Sequence, residues 1–139
     1  MGCCGSRIMA ATRREPTEKG AWPKRGEIYL TALDPTVGHE IQKTRPALVI
    51  QNDTSNEHGA TTIVAPITST VRTPLSPVHV LLPANVTTGL SASSVALLNQ
   101  IRTVDRRRFR KRIGAADEQT MQQVDEAIHI SLGLPCSSL

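Results

Sequence analysis

GEIYLTALDPTVGHEIQKTRPALVIQND, residues 26–53, holds two runs of strand-forming residues with a loop between them. The first run, EIYLTAL over 27–33, stops at Asp34-Pro35, where proline has no N–H to offer a ladder. The second opens at Pro46 and alternates, with Ala47 and Val49 on one side and Leu48 and Ile50 on the other, as in a half-buried strand. The connection TVGHEIQKT is longer than a usual hairpin loop, which makes it a candidate functional loop. It delivers Glu40, Gln42, Lys43 and Arg45 to the mouth of the second strand. A carboxylate and a guanidinium there form either a surface ion pair or the edge of an anion site.

Further strands are expected near 61–67 and 77–83, and a longer one near 94–104, separated by Asn52-Asp53, His58-Gly59, Thr73-Pro74 and Asn85 to Gly89. Asp105 is a candidate N-cap for a short helix over 105–114 that sets Phe109 and Ile113 on one face and ends at Gly114. Asp117 caps a second helix, with Met121, Val124, Ile128 and Leu132 as its buried stripe and Gly133 and Pro135 as its stop. No helix separates successive strands. The pattern therefore predicts a mainly β fold with short helices, a small, partly open β-barrel closed by a C-terminal helix.

With 139 residues, 39% hydrophobic, the chain has enough material for one domain with a true core. Trp22, Tyr29 and Phe109 are its only aromatics, so that core is aliphatic and base-stacking platforms are few. No stretch approaches the roughly 18 apolar residues of a membrane span. The net charge of +4 is mostly a property of residues 1–24, where five basic side chains face two acidic ones. Global charge thus gives no argument for a nucleic-acid partner. Residues 1–24 lack periodicity and read as a disordered extension, leaving 25–139 as the domain. Cys3, Cys4 and Cys136 have neither metal-ligand spacing nor an even disulfide framework, which suits a reducing cytoplasm and implies no metal. The opening MGCCGS satisfies a short acylation pattern; read blandly, it is a leader or vector remnant outside the fold.

GEIYLTALDPTVGHEIQKTRPALVIQND, APIT at 65–68 and LLNQIRTVD at 97–105 stand in the same order and spacing as in the MazF/PemK toxins, which this chain closely resembles from about Lys24 to Leu134. The resemblance implies an SH3-like barrel of the CcdB/PemK type and a homodimer. It also implies metal-independent, cofactor-free cleavage of single-stranded RNA at short sequences, and inhibition by a cognate, MazE-like antitoxin with an acidic C-terminal segment. By the same resemblance Arg45, Thr68 and Glu40 are catalytic; His39, Gln42, Lys43, Thr44 and Ser69, beside them in the sequence, are expected to bind RNA. A gyrase-poisoning toxin on the same barrel and a non-catalytic RNA-binding barrel are the alternatives.

The chemistry agrees with part of that assignment. Cleavage through the 2′-hydroxyl needs a proton acceptor, stabilisation of a phosphorane, and a proton for the departing 5′-oxygen. Pro46 holds Arg45 extended, and its guanidinium fork suits two phosphate oxygens. Thr68 can donate from its hydroxyl at a strand end. Glu40 either takes the 2′-hydroxyl proton or orients Arg45. A guanidinium is a poor base at neutral pH, and His39, where the family often has a small residue, either joins the proton transfers or contacts RNA. His58 reads as a turn residue, His79 as strand surface and His129 as the polar face of the last helix. The run RRRFRKR, 106–112, is either a phosphate contact or a solvated face around Phe109. Gln100 and Arg102 read mainly as part of a central strand at the dimer contact.

Overall fold

The computed structural model describes residues 22–34, 37–40 and 43–135. The expected extension, apart from its last residues, the three cysteines and Gln42 lie outside the described residues. Seven strands form one antiparallel, barrel-like sheet: β1 (Glu27–Ala32), β2 (Thr44–Val49), β3 (Thr61–Thr68), β4 (His79–Leu82), β5 (Ser94–Leu97), β6 (Arg102–Asp105) and β7 (Phe109–Ala115). Their order is β4-β5-β3-β2-β1-β7, with β6 paired to β3 alone. The sheet is not closed. Helix α1 (Asp53–His58) follows β2, and α2 (Glu118–Leu132) ends the fold.

The alternation in β2 has a double consequence. Leu48 and Ile50 join Ile28, Ile67, Leu82, Leu98 and Val124 in the main core, while Ala47 and Val49 join Leu33, Val64 and Val104 in a second cluster on the other face. The strand expected to be half-buried is thus buried on both sides. Both clusters are aliphatic, and the one aromatic pair, Tyr29 stacked on Phe109 at 4.5 Å between ring centroids, borders the second. The Tyr29 hydroxyl is pushed up to about 12 by burial and by neighbouring Glu27, whose carboxylate it donates to, so it stays protonated.

Three expectations need correction. The helix placed over 105–114 is a single 3-10 turn, Arg106–Arg108, followed by β7. Asp105 does cap it, accepting from the Arg107 N–H. Beyond it, pairing with β1 replaces the helix, and Gly114 is a strand residue packed on the Thr87–Thr88 backbone rather than a helix stop. The long strand over 94–104 is two strands, β5 and β6, both antiparallel to β3 and broken by the turn in which the Gln100 N–H donates to Leu97 O. Because β6 has only β3 as a strand partner among the described residues, it is not central. Pro66, which lacks an N–H, sits where β3 exchanges β6 for β5 and needs no donor on that edge.

Helix α2 begins and ends as expected, on the Asp117 cap and a left-handed Gly133. Its stripe is shifted: Val124 and Ala127 are buried, Met121 and Ile128 are partly so, and Leu132 is exposed. His129 is partly buried rather than wholly on the polar face.

Helix α1 stands where only turn chemistry was legible. Asn52 caps it, and fully buried Asn56 holds it to the sheet. Asn56 Oδ1 accepts from Thr62 Oγ1 at 2.6 Å and Gln51 Nε2 at 2.9 Å, while Nδ2 donates to Gln51 O and Asp53 Oδ1. Asn56→Ala leaves several buried partners unmatched, for an expected loss of about 3 kcal/mol. Urea unfolding with an unchanged slope checks this.

Candidate active site

Register brings the two central candidates together. β1 and β2 pair Thr31 with Arg45, and β2 and β3 pair Ala47 with Pro66. Continuing the second register by two residues sets Arg45 opposite Thr68, which itself pairs with Val95 of β5. One row across the sheet therefore reads Phe109, Thr31, Arg45, Thr68, Val95. Residues directly opposed in an antiparallel pair share a face, with Cβ atoms about 5 Å apart. Thr31 and Val95 are buried in this row, whereas Arg45 and Thr68 are half-buried. The register thus sets Arg45 and Thr68 on one face at the sheet's rim, between buried Thr31 and Val95.

The hydroxyl of Thr68 accepts from the Thr70 N–H at 3.2 Å, which leaves its own proton for donation. Ser69 is exposed immediately beyond. On the other side of Arg45, Thr44 is exposed at the strand head and pairs with Ala32. Lys43, also exposed, takes a positive φ of 71° that turns the chain from loop into strand, a conformation uncommon for any residue with a side chain.

Glu40 closes a turn within the loop. Its Oε1 accepts from Val37 N at 2.7 Å, and its own N–H donates to Val37 O at 3.2 Å, with Gly38 at φ 60° between them. His39 is exposed at the tip of the same turn. Glu40 therefore shapes the loop, and the loop carries His39 outward.

Most of the basic run is engaged inside the molecule. Arg106 donates to Gly59 O, Arg107 pairs with Asp105, Arg110 donates to Arg107 O, and Arg112 pairs with Glu27. The Asp105 carboxyl is held below its ordinary range by its hydrogen bonds from Arg107. Arg108 and Arg102 reach the end of β1. Neither contact was legible in the sequence, since these bonds join segments far apart in the chain. Among the described residues, no group of three His, Cys, Asp or Glu side chains could hold a metal ion. None of the described helices is long and apolar enough to cross a membrane.

The chain resembles known proteins over this same region. Endoribonuclease EndoA of Bacillus subtilis (strain 168) is 45% identical over 111 residues, covering 80% of this chain and 95% of its own. The structure of MazF from Deinococcus radiodurans superposes with a TM-score of 0.68 at 28% identity, over 81% of this chain and 97% of that one. A mycobacterial endoribonuclease solved in complex with its cognate antitoxin gives a TM-score of 0.66 at 25% identity, over 83% and 99%. Residues 24–132, which contain the whole sheet, both helices and the Arg45–Thr68 row, match the PemK-like, MazF-like toxins of type II toxin-antitoxin systems, and the chain belongs to that family.

Proposed function

We propose that this chain is a sequence-specific endoribonuclease toxin that cleaves single-stranded RNA by attack of a 2′-hydroxyl on the adjoining phosphate, without a metal ion. The observation that supports this best is the β2–β3 register, which, continued two residues beyond Ala47 with Pro66, sets Arg45 opposite Thr68 at one rim of the sheet. As the 2′-oxygen attacks, the phosphorane gains negative charge on its non-bridging oxygens. Arg45 binds two of them through its fork and Thr68 donates to one, so both interactions strengthen as the charge develops. We assign the 2′-hydroxyl proton to Glu40 or His39, which the turn at 37–40 carries on the loop between β1 and β2. Lys43, Thr44, Gln42 and Ser69 flank the cleaved bond and contact the RNA. A gyrase poison on the same barrel would need neither Arg45 nor Thr68.

The same cationic face suits an acidic antitoxin segment that folds as it binds, its carboxylates taking the place of phosphates. The relative solved with its cognate antitoxin supports that partner. We assign the active form to a homodimer in the cytoplasm, where its RNA substrate is found.

The chemistry is tested with an oligoribonucleotide containing one cleavage site, in excess EDTA. Cleavage persists and yields 2′,3′-cyclic phosphate and 5′-hydroxyl ends. A single 2′-deoxynucleotide before the scissile phosphate abolishes it. Cleavage of the deoxy-substituted strand, or complete loss of activity on chelation, would contradict the mechanism.

A further inference from the structure

Three consecutive carbonyls at the end of β1, where the chain leaves the sheet for the loop to Arg45, are held by arginines from far along the sequence. Arg108 Nη1 donates to Ala32 O at 3.0 Å and also to Asp34 O, and Arg102 Nη1 donates to Leu33 O at 3.0 Å. Two of these residues are also tied to Lys43 on the returning chain: the Leu33 N–H donates to Lys43 O at 3.1 Å, and Asp34 Oδ1 accepts from Lys43 N at 2.9 Å. Asp34 is thus gripped by its carbonyl and its carboxylate, and Lys43 is gripped in its left-handed conformation two residues before Arg45.

We propose that Arg108, assisted by Arg102, is a positioning residue for RNA cleavage, which fixes the base of the 34–43 loop so that Arg45 and Glu40 meet the phosphate in productive geometry. This rests on the endoribonuclease reading. Both arginines are half-buried, and these bonds go to main-chain oxygens. Such bonds are charge-assisted and do not depend on side-chain partners that could rotate away. The sheet supplies only part of this constraint, because beyond the last β1–β2 pair, Ala32 with Thr44, a single main-chain bond, Leu33 N–H to Lys43 O, continues the pairing. A displacement there moves the turn that carries Glu40 relative to Arg45, which β1 pairing holds in place, and a misplacement of about 1 Å can cost roughly 100-fold in rate.

The test separates positioning from direct contact with RNA. Arg108→Lys retains the charge but ends one bond nearer the backbone and cannot reach both carbonyls. Arg108→Lys and Arg108→Ala should each lower kcat by roughly 10- to 100-fold. Both should leave KM unchanged, as well as the salt dependence of RNA binding measured in a Thr68→Ala background. Amide hydrogen exchange should quicken at Leu33 and Lys43 while Val64 and Ala65 in β3 keep their protection. Wild-type kcat in Arg108→Lys, or weaker binding in Arg108→Ala with a salt slope shallower by about one, would overturn the proposal in favour of a phosphate contact. If Arg108→Ala fails to fold, Arg108→Lys and Arg102→Lys carry the same measurements. Should the wild-type protein cleave no RNA, the endoribonuclease reading fails, and exchange decides the anchor separately: unchanged protection at Leu33 and Lys43 in Arg108→Lys refutes it.

Discussion

Arg45→Ala should lower the single-turnover rate of RNA cleavage by roughly 1,000-fold, and Thr68→Ala by roughly 100-fold, since each removes a donor aimed at charge that develops only in the transition state. The larger figure belongs to Arg45 because it loses a full charge and two hydrogen bonds, where Thr68 loses one neutral donor. Neither change should unfold the protein. Both side chains are half-buried at the rim, and the buried members of their row, Thr31 and Val95, are untouched. Equal thermal midpoints for the variants and wild type, with rates measured at saturating protein, check both parts. The double variant should be little worse than Arg45→Ala, since the two act on the same phosphorane and their effects are not additive.

The largest effect on stability is expected far from that rim, where the loop after β4 crosses β7. A Cβ at Gly114 would overlap the Thr88 carbonyl and approach Thr87 O, and one at Gly89 would overlap the Ile113 carbonyl. Gly89 also has φ of 71°, where an alanine is strained in any surroundings. Because the Ala115 N–H donates to Thr87 O at 2.9 Å, the two backbones cannot separate without breaking that bond. Gly114→Ala should therefore cost about 3 kcal/mol or more, lowering the thermal midpoint by roughly 10 °C. Calorimetry of Gly114→Ala beside Gly133→Ala makes the comparison informative. Gly133 has the positive φ that Gly114 lacks, but nothing lies within 4 Å of its added Cβ, so its loss should be limited to backbone strain.

The strands and the last helix were legible because each carries a local signal: alternation in β1 and β2, an Asp cap and a glycine stop on α2. Arg45 and Thr68 were singled out by the short motifs around them, but the β2–β3 register that sets them opposite one another is encoded by no local pattern. The segment after Asp105 misled for a definite reason. Phe109 and Ile113, four apart, fit one face of a helix and one face of a strand equally well, and lysines and arginines favour helix between them. Pairing with β1 and the close approach at Gly114 decide for the strand. Helix α1 has no apolar stripe to announce it, because what holds it is the polar network of Asn56. The basic run showed its charge but not its partners. The bonds from Arg102 and Arg108 span 69 to 76 residues and exist only once the sheet has formed.

RNA cleavage dependent on Arg45 is the claim on which the rest stands, and mapping of new 5′ ends tests it most directly. Wild-type protein and folded Arg45→Ala are incubated in parallel with a long single-stranded RNA, and 5′-hydroxyl ends are captured and sequenced. The account predicts ends clustered at one short shared sequence with wild type, and at most traces of the same ends with Arg45→Ala. Equal cutting by the two proteins, or no new ends with wild type, would contradict it.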